Sequence, residues 1–337
     1  MRAAWVVAAG LAARLSGAVE GTVHNGTTGR PAAGVEVALM KLDQGMVPVG
    51  TAKTDARGRF RFQADIAGAH GLLRAQFEGV TYTEIVAPGA RTADIRLPVY
   101  SASKSAPAPE MRVIFIEPSG GEMGVNESYL FRNQSQPPVT YVGDGQGSLR
   151  FYAPPGAKGL PQVSVQGAGG VPLRVNAGKT AEPDVYQVDH PIKPGENRID
   201  VTYVLPYKSG LELPGRTLYP DVATRIAAPS GVTLAGDALR PLGEEPQTKA
   251  SIFNIARADF KLTVTGEGRL PRDRGAGEGE GGGGEIATVP AAVQQQQWMV
   301  FGFVAVILAL GFYGLWMASG KPAPPPAPAA KAKKRKS

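Results

Sequence analysis

Between residues 19 and 100 apolar and polar positions alternate in short runs that end at Gly, Pro, Asp or Asn. The runs GTVHN, VEVALMK, VPVGTAK, RFRFQ, LLRAQFE, VTYTEIV and ADIRLPVY have strand length and are rich in β-branched or aromatic residues. A strand sends successive side chains to opposite faces. In GRFRFQ this puts Phe60 and Phe62 on one face and Arg59 and Arg61 on the other. Each buried Phe contributes very roughly 1.5–3 kcal/mol. The preceding TDARG reads as a turn, with Asp55 suited to an Asx-type hydrogen bond and Gly58 to a positive φ. Runs at this spacing predict an antiparallel sandwich or barrel.

The segment SASKSAPAPE (101–110) breaks the pattern and reads as a Pro/Ala/Ser linker. The alternation then resumes in MRVIFIE, ESYLFRN, SLRFYAP, QVSVQG, DVYQVDH, NRIDVTYVLPY, RTLYPDV, SIFNIA and FKLTVTG. These runs predict a second all-β domain over 111–265, built as one fold or as two small sandwiches. From residue 266 the periodicity disappears into GEGRLPRDRGAGEGEGGGGE, which with the residues up to 297 reads as a Gly-rich flexible stalk.

Both ends change the picture. Residues 1–18 carry Arg2, an apolar run and the small residues Ser16, Gly17 and Ala18, the pattern of a signal peptide cleaved between Ala18 and Val19. The run WMVFGFVAVILALGFYGLWMAS (298–319) contains no charge and is long enough to cross a bilayer as a helix. Trp298 and Trp316 suit its two interfaces, and Lys321 begins a basic tail (320–337) that places the C-terminus in the cytoplasm. The net charge is +7; without the six basic residues of that tail it falls to +1. The basicity therefore belongs to the tail rather than to a nucleic-acid-binding body. The reading is a single-pass protein of a bacterial cytoplasmic membrane whose bulk is periplasmic. There is no Cys, which excludes disulfides, thiol catalysis and Cys-ligated zinc.

Residues 19–100 also resemble a known family, the carboxypeptidase regulatory-like domain, a transthyretin-like or Ig-like sandwich grouped with carbohydrate-binding-like folds. The matching pieces are Gly21-Thr22-Val23, Gly29-Arg30-Pro31 followed by Gly34-Val35-Glu36-Val37, and Thr54-Asp55 with Gly58-Arg59-Phe60. The resemblance implies a non-catalytic module that accompanies enzymes, receptors or surface proteins. The expected fold class is thus all-β, tandem antiparallel sandwiches followed by one transmembrane helix.

No catalytic constellation is expected. Three residues after His24, His70 and His190 stand Thr27, Leu73 and Lys193, so the His-x-x-Glu pair of a zinc carboxypeptidase is absent. Asp189 and His190 fall on opposite faces of a strand, which argues against a metal site with Asp184. GDGQGS (143–148) reads as a hairpin turn rather than a calcium loop. Glu182, Asp184, Asp200 and Asp221 are available carboxylates without a recognisable pairing. No cofactor and no metal is predicted. The function expected is a membrane-tethered binding or scaffold protein with an envelope-protein partner. The alternatives are a polysaccharide-binding module and an accessory subunit of an envelope enzyme or biogenesis system. For a saccharide, Tyr82, Tyr152, Tyr203 and Tyr207, and also Tyr100, are candidate stacking rings.

Overall fold

Every second side chain of strand β1 (Val19–Asn25) points into an apolar core, where Val19 and Val23 are fully buried. The computed structural model describes residues 17–270 apart from 43–44, 67, 106, 146, 168–169 and 171. The expected leader up to residue 16, the stalk beyond 270, the membrane span with Trp298, Trp316 and Lys321, and the basic tail lie outside the described residues. Among the described residues no helix is long and apolar enough to cross a membrane.

After β1 come β2 (Arg30–Pro31), β3 (Glu36–Leu42), β4 (Met46–Lys53), β5 (Arg59–Phe62), β6 (His70–Phe77), β7 (Val80–Val86) and β8 (Ile95–Val99). One sheet pairs β2 and β5 antiparallel to β1, with β8 parallel to it. The other runs β4-β3-β6-β7. Residues from both sheets, including Val23, Leu39, Phe60, Leu73 and Leu97, form one buried cluster. In β5, Phe60 and Phe62 are buried while Arg59 and Arg61 are exposed, as the alternation requires. The turn before it is held by Asp55, whose Oδ1 accepts 2.8 Å hydrogen bonds from the Arg57 and Arg59 amides. Gly58 has φ 73°, and a Cβ there would lie 2.4 Å from the Val23 carbonyl oxygen. Only glycine fits both demands.

The second module begins inside the Pro/Ala/Ser segment, where β9 (Ala102–Ser103) lies. It continues with β10 (Met111–Ser119), β11 (Glu122–Asn133), β12 (Thr140–Tyr141), β13 (Leu149–Tyr152), β14 (Gln162–Gln166), β15 (Leu173–Asn176), β16 (Gly178–Lys179) and β17 (Val185–Val188). It closes with β18 (Gly195–Pro206), β19 (Leu211–Arg216), β20 (Ala223–Ala228), β21 (Val232–Ala235), β22 (Leu239–Glu244), β23 (Ser251–Ile255) and β24 (Asp259–Gly266). An eight-stranded sheet runs β15-β14-β18-β11-β10-β20-β23-β22. Two three-stranded sheets, β19-β24-β21 and β13-β17-β16, complete the module, and β9 pairs with β12. One buried cluster joins all three larger sheets through residues such as Phe131, Phe151, Ile199, Ile226 and Leu262. The region is therefore one fold with one core, rather than two small sandwiches.

Two sequence expectations are corrected here. RTLYPDV is not a strand, because only Arg216 belongs to β19 and the rest turns toward β20. There the Thr217 hydroxyl accepts a 3.3 Å hydrogen bond from the Tyr219 amide, and Pro220 has no amide to give a ladder. GDGQGS is not a hairpin, because β12 and β13 on its two sides belong to different sheets. Its Gly147 has φ 75° and passes so close to Val188 that a Cβ would meet the carbonyl oxygen at 2.6 Å.

Strands β10, β11 and β18 set the direction of the chain. At one end of them Tyr207 donates a 2.5 Å hydrogen bond to the Gly266 carbonyl, and the Gly268 amide donates to Pro118. At the other end the Lys193 ammonium donates to the Thr81 carbonyl of the first module at 2.7 Å. The polypeptide thus reaches Arg269 at the end of these strands opposite the first module.

Candidate functional site

The most unusual chemistry in the described residues is an ion pair inside the second module. Arg112 on β10 and Glu127 on β11 both point inward, with 2% and 1% of their surface exposed. The guanidinium holds one carboxylate oxygen, Oε2, from Nη2 at 2.8 Å and from Nε at 3.0 Å. Its Nη1 donates to the Arg216 carbonyl at 3.1 Å. Tyr129 donates to the same Oε2 at 2.6 Å, and Tyr203 donates to Oε1 at 2.8 Å. The guanidinium also lies 5.5 Å from the centre of the Tyr129 ring. Burial opposes the Arg112 charge, yet Glu127 beside it overcomes that cost and raises the Arg112 pKa above its ordinary value. Burial pushes both tyrosine hydroxyls well above their usual range, so they stay protonated as donors.

What can this centre do? Both oxygens of Glu127 are already engaged by side-chain donors. The cavity beside it, lined by Arg112, Glu127, Tyr152, Tyr203, Pro214 and Phe260, has a volume of about 10 Å³. That is room for about one water, against roughly 300–1,000 Å³ for a ligand pocket. The geometry suits a structural core network. At the surface above it, Glu182 accepts from Arg216 at 2.5 Å and from Arg150 at 3.0 Å. The hydrogen bond from Arg216 is the main reason its carboxyl is held below the usual range.

A second polar cluster joins the two modules. The Tyr82 hydroxyl of β7 donates to the Tyr100 carbonyl at 2.9 Å and lies 2.8 Å from the Thr140 hydroxyl of β12. The Lys193 ammonium, which donates to Thr81, sits 5.1 Å from the centre of the Tyr82 ring. Burial lowers the Lys193 pKa. Thr27 donates to the Pro138 carbonyl at 2.5 Å and accepts from the Ser101 amide at 2.9 Å. The Glu78 carboxylate accepts from the Ala102 amide at 2.7 Å. These bonds, with the pairing of β9 and β12, fasten the first module to the second.

The structure does not gather the sequence-predicted residues into one site. Three of the four main stacking candidates are corrected by burial. Tyr82 is 4% exposed, Tyr203 6% and Tyr207 7%, so their rings fill core and offer no open face to a sugar. Their hydroxyls serve, in order, the junction, Glu127 and the Gly266 carbonyl. Tyr152 and Tyr100 are half-buried at the module surfaces. Among the available carboxylates, Asp200 is paired with Arg198 at 2.9 Å, while Asp184 and Asp221 are exposed. Val19, the expected first residue after cleavage, is fully buried at the start of β1. Among the described residues no three His, Asp or Glu side chains gather as a metal site. Arg112 and Glu127 were missed by sequence reasoning. The only signal available was a charge at an inward position in each of MRVIFIE and ESYLFRN.

No family model and no curated protein matches the chain. Among solved structures, an M1 zinc metallopeptidase from Deinococcus radiodurans is similar over 47% of this chain and 42% of that chain, at 13% identity and a TM-score of 0.25. A mutant of a two-domain M1 zinc metallopeptidase bound to L-arginine is similar over the same shares, at 12% identity and a TM-score of 0.26. The chain spans less than half the length of these structures. Overlaps this loose carry no argument about activity.

Proposed function

We propose that the chain is a non-catalytic, membrane-tethered scaffold that presents its first module to an envelope partner. The observation that supports this reading is directional. The first module is fastened at one end of β10, β11 and β18, and the polypeptide reaches Arg269 at the other. The uncharged run 298–319 is long enough to serve as the bilayer anchor of this reading. The junction bonds of Tyr82, Thr140 and Lys193 hold the first module on the second in place of a loose tether. The polysaccharide reading has lost the faces of Tyr82, Tyr203 and Tyr207 as stacking surfaces.

Photo-crosslinking tests the proposal in whole cells, with the probe at exposed positions of the first module in the full chain. Recovery of one recurrent envelope protein is expected from that module and not from exposed positions of β22. Probes that report the same background proteins from both places would refute it. A carbonate wash of the same membranes checks the anchor, which fails if the protein is released.

A further inference from the structure

The long strand that follows the segment 101–110 and the last strand before the chain leaves are interior strands of different sheets. β10 lies between β11 and β20, and β24 lies between β19 and β21. The two run in the same direction. Near the start of β10, Arg112 donates to the carbonyl of Arg216, the residue that pairs with Asp259 at the start of β24. Near the end of β10, the Pro118 carbonyl accepts from the Gly268 amide just past the end of β24. Beyond β24 the chain is clasped by its neighbours. Tyr207 donates to the Gly266 carbonyl at 2.5 Å, the Gly266 amide donates to Ser209 at 3.0 Å, and Arg269 donates to Ser119 at 3.2 Å. A Cβ at Gly266 would lie 2.1 Å from the Gly231 carbonyl oxygen, and one at Gly268 would lie 2.4 Å from that of Ser230. Two glycines let the exit thread this closely.

We infer that the second module is built to bear tension along its length, between the first module and the chain beyond Arg269. The first module sits at the end where β10 starts, and the chain leaves at the end where β24 stops. A pull between the two draws β10 from its start and β24 from its end, in opposite directions. Because the strands run the same way, the load acts lengthwise on both and opens neither sheet from an edge. Ladder hydrogen bonds of antiparallel strands stand perpendicular to the strand. A lengthwise pull on β10 must shear its bonds to β11 together, and one on β24 its bonds to β19 and β21 together. A sideways pull at one end would break the same bonds one after another. The Arg112 guanidinium joins the two loaded parts, since it holds Glu127 of β11 and the Arg216 carbonyl of β19. The use of this strength in the cell rests on the tethered reading above, which supplies the load.

Forced unfolding reports the unfolding barrier rather than the equilibrium stability, so one protein pulled in two directions isolates the geometry. The chain has no cysteine, and introduced pairs therefore set the direction. In the full chain in detergent, Ser105→Cys with Arg269→Cys carries the handles of an optical tweezer at opposite ends of the module. Glu122→Cys with Arg269→Cys carries them at one end, since Glu122 pairs with Ser119, which Arg269 touches. All three positions are exposed. The lengthwise pair is expected to unfold in one step, at a force at least about twofold higher. Lys104→Cys with Glu267→Cys, at neighbouring exposed positions, is expected to repeat the lengthwise result. A lengthwise force equal to or below the one-end force would overturn the inference, and so would an early low-force step that releases β24 alone. The carbonate wash bears only on the tether. Release there removes the load in the cell, and the two forces still decide the strength of the module.

Discussion

In the first module the buried polar side chains serve turns; in the second, Asn133, Asn197 and Glu245 do the same, but an ion pair also stands in the middle of the core. Thr54 donates to the Ala32 carbonyl at 2.7 Å and accepts from the Val35 amide at 2.9 Å, and Asn25 accepts from the Thr27 amide at 2.8 Å. These side chains complete backbone hydrogen bonding at strand ends. Arg112 and Glu127 instead cross-link β10 and β11 beneath the β19-β24-β21 sheet, and Tyr129 and Tyr203 complete their shell. A core of Val, Leu and Phe tolerates volume-conserving exchange. A buried charge pair with every atom engaged fixes one register and punishes the loss of any member. The comparison teaches that similar strand patterns can rest on different interiors. The smaller module rests on an apolar interior with polar side chains at its turns, and the larger one adds a polar rivet.

Removing half of that rivet is the severest test. Arg112→Met leaves the Glu127 carboxylate buried without its cation and is expected to cost about 3–5 kcal/mol. The double variant Arg112→Met/Glu127→Leu is expected to recover most of that loss, as measured by urea denaturation followed by circular dichroism. A double variant as unstable as the single one would show that the pair was not acting as a unit.

Acid is the next probe, and it acts close to the junction. Burial, with help from Lys193 and against Asp189, holds His190 at a pKa of about 4 instead of 6.5. The unfolded chain therefore takes up this proton first. Stability is full above pH 6.5 and falls as the pH drops from 6.5 to about 4. By linkage the loss is at most about 3 kcal/mol, and less because the ring is partly solvated. His190→Gln is expected to flatten this arm of the stability–pH curve, and an unchanged arm would assign it to other groups.

The gentlest change is made at the junction itself. Tyr82→Phe removes one hydroxyl shared between Tyr100 and Thr140 and is expected to cost about 1 kcal/mol. Hydrogen exchange should show the loss in β7 and β12 with the β10–β11 pair unaffected. Protection lost across the whole second module would mean that the two interiors are not separable.

Much of the first module was legible in the sequence. All seven expected runs contain strands, because a half-buried strand must alternate and its turns need Gly, Pro or Asp. In the second module β19 was missed, since LELPGR carries Pro and Gly, and so was β20, since ATRIAA is rich in alanine. Their strand state comes from pairing with β24 and with β10 and β23, not from local preference. The candidate tyrosines show the same limit. Alternation places a ring on one face of a strand but does not say whether a second sheet covers that face.

Local pattern by itself determined the all-β class, the alternation of Phe60 and Phe62 with Arg59 and Arg61, and the Asp55–Gly58 turn, because each depends on neighbours a few residues apart. Only the tertiary structure decided that Arg112 meets Glu127, that Tyr82 reaches Thr140 and that Gly268 bonds back to Pro118. Those groups are distant along the chain, and what brings them together is sheet register and the stacking of sheets, which no local window contains.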